Sequence, residues 1–204
     1  MPGAGGTAAM QIGKLLRHIS GLTCIFLIAQ SSAAEDGPPL TSDLEPAPMD
    51  LCKAAEDGFL SGELYGALSE RIDWSGTDMD CGGMLRPGAD GIRLVFAAPR
   101  QDERLLIVLG IDGELEALPE AERVANLTII DETRNRFYST EGRERCWSTI
   151  ESLRAITGRN DRTLQVVGVV YCAGSLPSLS DNGSVTLREL RYSGRLLLDE
   201  TARD

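Results

Sequence analysis

The chain has 204 residues and is acidic, with 31 Asp and Glu against 20 Lys and Arg and a formal net charge of −11. This charge disfavours binding to nucleic acids and to anionic lipids, whose phosphates would repel it. The only histidine is His18. Ser-His-Asp and Cys-His catalysis and His-ligated metal centres are therefore excluded for the chain beyond that position. The sequence also contains no phosphate-binding loop and no dinucleotide-binding glycine motif.

The N-terminal segment has the layout of a secretory signal peptide. Lys14 and Arg17 precede an uncharged apolar run over residues 19–29, and the small residues Ser-Ser-Ala-Ala follow this run. The run is much shorter than the roughly 20 residues that a membrane-spanning helix needs. We therefore expect residues 1–34 to be a cleaved signal peptide, with Met10 as an alternative start.

Cleavage after Ala34 would leave 170 residues with a formal charge of −13, because two basic residues and no acid are removed. The product would reach the periplasm or the extracellular medium, with no transmembrane segment in the mature protein. Residues 35–50 are rich in proline and acids and predict a flexible spacer. Residues 51–204 predict a single globular domain, large enough to bury about 70% of its unfolded surface.

The domain begins with the ambiguous stretch GELYGALSERIDW. Apolar residues recur every four positions from Leu60 to Ile72, which fits one face of a helix, but most of them also share one parity of a strand. Gly62 and Gly66 disfavour a helix. We therefore predict a strand.

Five later segments predict β-strands from an apolar pattern with a period of two residues, except that RLLIVLGIDG is apolar on both faces and ends at a Gly turn, as a central strand would. In chain order they are GIRLVFAAP, RLLIVLGIDG, VANLTIID, RFYST and TLQVVGVVYC. This period predicts β-strands. The four residues ETRN between the third and fourth segments predict a hairpin loop.

The last predicted strand, GSVTLRELRYSGRLLLD, changes phase along its length. Val185 and Leu187 have one parity, whereas Leu190 and the later apolar residues have the other. A one-residue β-bulge at Arg188–Glu189 would keep both halves facing the core. Seven or eight short strands with Gly, Asn and Asp turns predict an all-β fold, an antiparallel β-sandwich or barrel-like domain with two disulfides.

Four cysteines remain after the signal peptide, namely Cys52, Cys81, Cys146 and Cys172. An even number in an exported protein indicates two disulfides, with three possible pairings. We predict Cys52–Cys81 and Cys146–Cys172, because neighbouring strands tend to pack side by side. Loop-closure entropy would favour each crossed bond by about 1 kcal/mol and does not support this choice. No Cys-x-x-Cys occurs and metal-ligand spacing is absent, so we interpret the four as structural.

One set of acids is a candidate calcium site. Asp73, Asp78 and Asp80 lie near a glycine pair, and calcium prefers clustered oxygens from a tight loop. The helix–loop–helix calcium motif does not fit, because its last ligand position would be Ala89. The alternative is a polar turn that leads into a disulfide. No other cofactor or metal is expected.

Two further sets of residues could act on or bind glycans. Acids that flank RNRFYST could supply the carboxylate pair of a glycosidase, but we favour the interpretation that they form a solvated edge of an acidic protein. Aromatic side chains could stack on sugars, although strands also bury aromatic residues routinely. The acids are Asp131, Glu132, Glu141 and Glu144, and the aromatic residues are Trp74, Trp147, Tyr65, Tyr138 and Tyr192.

The sequence supports two functional hypotheses. The first is an exported, non-catalytic module that binds an unknown ligand or partner in the envelope or outside the cell. The alternative is a secreted hydrolase that acts on glycans through two carboxylates. A cavity with two acids about 5–9.5 Å apart would favour the hydrolase, whereas a filled core would favour the binding module.

We predict that the mature protein begins near Glu35 and is found outside the cytoplasm, because the small residues before it form a signal-peptidase site. Intact-mass measurement on exported protein gives the start directly. A full-length, membrane-retained product would contradict the prediction.

Overall fold

The structure is a computed structural model that describes most of the predicted domain. The described residues are 49–53, 57–87, 90–119, 121–156 and 162–198. They all belong to one compact unit, Leu44–Asp204. The predicted signal peptide, its cleavage after Ala34 and nearly all of the spacer lie outside the described residues, so the predicted domain boundaries stay predictions.

The described residues are almost entirely β-structure. They contain no α-helix, and only three 3₁₀ turns interrupt the strands. No described helix is long and apolar enough to span a membrane. The strands are β1 (Phe59–Gly66), β2 (Glu70–Ser75), β3 (Asp80–Leu85), β4 (Gly91–Arg100), β5 (Glu103–Asp112), β6 (Glu122–Asp131), β7 (Arg136–Ser139), β8 (Cys146–Ala155), β9 (Thr163–Cys172), β10 (Leu176–Pro177) and β11 (Ser184–Leu197).

Seven of these strands close into a barrel. Their order is β3-β4-β5-β6-β8-β9-β11, and β11 pairs again with β3. All neighbours are antiparallel except β3 and β11, which run parallel where Met84 faces Leu197. An odd number of strands cannot alternate in direction around a closed ring, so one parallel pair is required. The predicted all-β fold is confirmed, and of the two predicted architectures it is the barrel.

Strand β11 carries the predicted bulge. On β1, Gly62 faces Leu190 and Leu64 faces Leu187, so two residues of β11 lie opposite one residue of β1. The extra residue falls at Arg188–Glu189, where the parity of the apolar side chains changes. Leu187 and Leu190 are both buried. The bulge therefore keeps both halves of β11 against the core.

The ambiguous N-terminal stretch forms a hairpin of two strands, β1 and β2. The strand prediction is confirmed, but the turn at residues 67–69 was not predicted. Gly66 has a φ of 100°, and the amide of Ala67 donates a hydrogen bond to the carbonyl of Ser184. Leu68 is buried within the turn, so the turn lacks the polar composition that would have indicated it.

A polar contact inside the barrel links three neighbouring strands. Tyr192 is fully buried, and its Oη lies 2.8 Å from Oγ of Ser148. Ser148 Oγ donates to the carbonyl of Val169 at 3.0 Å, so the tyrosine hydroxyl is the donor to Ser148. Burial raises the pKa of Tyr192 above its usual value and keeps this donor protonated. Gly168 faces Tyr192 across β9 and β11 and leaves room for the phenol ring.

Both predicted disulfides are present. Cys52–Cys81 ties the segment before β1 to β3, with 5.2 Å between the two Cα atoms. Cys146 begins β8 and Cys172 ends β9, and the two residues face each other in register with Cα atoms 4.0 Å apart. The predicted pairing is therefore confirmed, and the second bond joins adjacent strands at one end of the barrel.

We predict that Gly168→Ala destabilises the fold. The added Cβ would lie 2.6 Å from Oη of Tyr192 and 2.5 Å from the carbonyl oxygen of Thr149, so the ring or a strand must move. Overpacking of this kind costs about 1–3 kcal/mol, and each kcal/mol lowers Tm by roughly 2–4 °C in a domain of this size. Thermal unfolding followed by circular dichroism gives the difference.

Gly174→Ala is the matched control, because a Cβ there has no atom within 4 Å. We expect its free energy of unfolding to stay within about 0.5 kcal/mol of wild type. Equal stability of the two variants would contradict the steric role of Gly168.

Candidate functional site

The three aspartates of the candidate calcium site lie on different elements. Asp73 is on β2, Asp78 is in a 3₁₀ turn, and Asp80 begins β3. Asp80 pairs with Nζ of Lys53 at 2.6 Å. Within the residues that the structure describes, no three His, Cys, Asp or Glu side chains lie close enough to hold a metal ion. The structure therefore does not bring these aspartates together as ligands.

Asp131, the first of the proposed glycosidase acids, is a buried carboxylate held between two guanidinium groups. Its Oδ2 lies 3.0 Å from Nη1 of Arg100 and 2.9 Å from Nη1 of Arg134. Arg100 also reaches Oε2 of Glu70 at 3.1 Å, which links the edge strand β2 to the barrel. Buried charges persist when they are paired and hydrogen-bonded in this way. This geometry gives Asp131 a structural role.

The other three proposed acids do not form a carboxylate pair. Glu132 accepts two hydrogen bonds from Arg104, both at 3.2 Å. Glu144 is exposed in a turn with a φ of 60°. Glu141 lines a cleft, described below, whose wall contains no second acid. Of the four, only Glu141 is placed where it could meet a ligand in that cleft.

The five aromatic residues considered for sugar binding do not form one platform. Tyr138 and Tyr192 are fully buried in the core, and Trp74 packs against the core with part of its ring exposed. Tyr65 is 45% exposed on the β1–β2 hairpin. Trp147 lies on the outer face of β8, on the opposite face from the buried Cys146. The interpretation that these aromatic residues fill the core therefore applies fully to two of the five, Tyr138 and Tyr192.

Trp147 stacks on Tyr171, which faces it across β8 and β9. The ring centroids are 5.7 Å apart with 28° between the planes. The hydroxyl of Tyr171 donates to Glu122, and this hydrogen bond raises the pKa of Tyr171. The pair covers part of the outer sheet surface. Because the two rings stack on each other, the ring faces that meet are partly covered.

A cleft of about 320 Å³ opens where β8 begins and β9 ends. The loop that leads into β8 and the loop that leaves β9 lie side by side, because the amide of Ala173 donates to the carbonyl of Arg145 at 2.9 Å. The cleft wall consists of Thr140, Glu141, Arg145, Cys146, Cys172, Gly174, Ser175, Leu176 and Pro177. The second disulfide is therefore part of the wall.

The cleft contains one cation and one anion that do not neutralise each other. In the described part of the chain, neither Arg145 nor Glu141 has an ion-pair partner. The neighbouring Arg143 differs, because its Nη2 lies 3.4 Å from Oδ2 of Asp112. Thr140 is fixed at the cleft wall, since its Oγ1 accepts from the amide of Leu127 at 2.8 Å. The residues of the wall thus include an exposed arginine that has no ion-pair partner in the described residues, together with hydroxyl-bearing and apolar residues.

Sequence reasoning missed Arg145 as a functional candidate. It lies in the charged run EGRERC, where three other charged residues surround it and no spacing distinguishes it. The only signal in the sequence was the adjacent cysteine. Because Cys146 begins a strand, Arg145 lies in the loop directly before the disulfide.

A second, shallower depression of about 230 Å³ lies on the β1–β2 hairpin and contains Glu63 and Glu70. Glu70 is paired with Arg100 at 3.1 Å. Glu63 accepts a hydrogen bond from Tyr65, and this bond raises the pKa of the tyrosine. Both acids of the depression therefore have partners.

Comparison with known proteins does not identify a relative: no protein-family model, curated protein or solved structure matches the chain. The side chains that line these two depressions, together with their partners, are therefore the basis for a functional proposal. Of these, the cleft beside Cys146–Cys172 is the larger. In the described residues its Arg145 and Glu141 have no ion-pair partner, and Arg71 in the smaller depression has none either.

We predict that Asp131→Asn lowers the free energy of unfolding by about 3 kcal/mol. This is the lower end of the range for breaking a buried ion pair, because the Arg134 side chain is half exposed. Chemical denaturation measures the loss. Glu132→Gln, which removes an exposed pair with Arg104, should cost no more than about 1 kcal/mol. A cost for Asp131→Asn no larger than that of the control would contradict the structural role.

Proposed function

We propose that this chain is an exported, non-catalytic binding module whose ligand site is the cleft beside Cys146–Cys172. The observation that carries the proposal is Arg145, an exposed cation in the cleft that has no ion-pair partner in the described residues. A few charged or polar groups in a concave site fix the orientation of a small ligand. The two disulfides are consistent with an oxidising compartment and hence with export.

The shape and chemistry of the cleft favour a small ligand with one anionic group. Its volume of about 320 Å³ lies at the lower end of the range of roughly 300–1,000 Å³ for small-molecule sites. Arg145 would bind a carboxylate by paired hydrogen bonds. Leu176 and Pro177 supply apolar surface, and Thr140 and Ser175 supply hydroxyl groups. The negative charge of the whole chain disfavours a large polyanion.

Binding fits this site better than hydrolysis. A glycosidase of the two-carboxylate type needs acids about 5–9.5 Å apart, and among the described residues that line the cleft Glu141 is the only acid. Beyond His18 the sequence also lacks histidine, the side chain best suited to proton transfer near neutral pH. These features support a site that holds a ligand without transforming it.

The hydrolase alternative retains one observation, the shared depression of Glu63 and Glu70. Assays for reducing ends released from soluble polysaccharides would test it. Activity that is lost in both Glu63→Gln and Glu70→Gln would support the alternative, whereas absence of release by the wild-type chain would count against it.

We predict that butyrate binds the cleft and that butylammonium, a cation of similar length, does not. In amide NMR spectra of the mature chain, butyrate should shift the signals of Gly174 and Ser175. Arg145→Gln should weaken the binding at least tenfold, because a hydrogen bond to a charged group contributes about 1.5–3 kcal/mol.

Arg143→Gln is the control for loss of positive charge near the same loop, because Arg143 pairs with Asp112 and is not part of the cleft wall. It should leave butyrate binding unchanged. Equal shifts with both probes, or full binding by Arg145→Gln, would contradict the proposed site.

A further inference from the structure

The two disulfides differ in their access to solvent. Cys52, Cys81 and Cys146 are completely buried, whereas Cys172 is partly exposed. Cys146 and Cys172 both line the cleft, and neither cysteine of the other disulfide does. A small molecule in the cleft would therefore lie beside the residues of the second disulfide, of which only Cys172 has exposed surface. Exchange with a thiol requires access to one sulfur of the bond, and of its two cysteines Cys172 is the one that is partly exposed.

We propose that Cys172 is a site of thiol–disulfide exchange, at which a small anionic thiol enters the cleft and opens the Cys146–Cys172 bond. The thiolate of the incoming molecule attacks Sγ of Cys172. The bond between the two protein sulfurs breaks, and its electron pair leaves on Sγ of Cys146, which then takes a proton from water. The product is a mixed disulfide on Cys172 and a free thiol on Cys146.

A second thiol molecule completes the two-electron reduction. Its thiolate attacks the outer sulfur of the mixed disulfide, forms the disulfide of the small thiol and releases the thiolate of Cys172. The reverse sequence restores the protein disulfide. The small thiol is the reductant throughout, and no other co-reactant is needed.

The groups around the bond favour this direction of attack. Oγ1 of Thr140 lies 3.5 Å from Sγ of Cys146, but its hydroxyl donates to the carbonyl of Leu127 at 3.1 Å, so it can donate to the leaving thiolate only by giving up that bond. Arg145 immediately precedes Cys146 and lines the same cleft. A neighbouring cation stabilises thiolates and raises the local concentration of an anionic thiol.

The barrel can remain folded when this bond opens. From Trp147 facing Tyr171 to Ala155 facing Leu164, the rest of the β8–β9 ladder does not depend on the disulfide. β8 also pairs with β6, and β9 also pairs with β11. Because the bond lies at the end of these strands, its opening frees two strand termini and leaves their central pairing intact.

Exchange would also regulate the cleft, a consequence that rests on the function proposed above. A mixed disulfide places the bound thiol inside a space of about 320 Å³ and leaves little room for another ligand. The modified protein should therefore lose butyrate binding. If butyrate does not bind even the unmodified protein while exchange proceeds, only the proposed ligand site fails.

The test is incubation of the folded mature chain with reduced glutathione, followed by acid quenching, alkylation and peptide mapping. We expect glutathione on Cys172 and alkylated Cys146 before any alkylation of Cys52 or Cys81. Circular dichroism should show a folded protein at that stage. The proposal is overturned if both disulfides open together, if Cys52–Cys81 opens first, or if opening requires unfolding.

The role of Arg145 has a separate readout. Arg145→Gln should slow exchange with glutathione, which is negatively charged, about fivefold. It should slow exchange with 2-mercaptoethanol by only about twofold, because the attacking thiolate of that molecule carries one negative charge fewer than that of glutathione. Arg143→Gln should change neither rate. Equal slowing with both thiols would overturn the electrostatic part of the proposal, because a merely structural effect would not depend on the charge of the thiol.

Discussion

Closure of the barrel through β11 is the constraint on which the rest of the structure depends. β11 pairs with β9 along one edge, and on its other edge with β1 and then with β3. Because the barrel has an odd number of strands, one pair must be parallel, and this is the contact of Met84 with Leu197. β11 can pair with β1 and keep its apolar side chains in the core only because of the bulge between Leu187 and Leu190. The register that follows along β9 and β8 sets Cys172 opposite Cys146 and thereby places the cleft.

The buried hydroxyl groups hold this register from the inside. Ser148, Val169 and Tyr192 belong to the three neighbouring strands β8, β9 and β11, and their hydrogen bonds are formed only when those strands are aligned as observed. A buried polar group that loses its partner costs more than the bond itself contributes, so the contact discriminates against slipped registers. This contact requires a glycine at position 168, since a larger residue would occupy the place of the phenol ring of Tyr192.

The sequence predicts those features that depend on local pattern. The apolar pattern identifies β4, β5, β6, β7, β9 and β11 but not β3, β8 or β10. The parity change in β11 locates the bulge, and closeness along the chain suggests the correct disulfides. Closure is different, because it depends on the contact of Met84 with Leu197, two residues far apart in the sequence. The turn between β1 and β2 contains the buried Leu68, which reads as part of a strand. Asp131 is buried among arginines, yet its sequence context resembles that of the exposed acids.

Asp131 and Arg145 illustrate how the molecule separates stability from binding. The carboxylate of Asp131 is buried between Arg100 and Arg134, so its charge contributes to the fold. It lies six residues along β6 from Ala125, which faces Cys146, a separation of about 20 Å in a strand. The guanidinium of Arg145 is exposed, and in the described residues it has no ionic partner, so its loss removes no ion pair from the fold. Loss of Arg145 should therefore change ligand or thiol chemistry while stability is retained, and this separation makes the cleft a testable site.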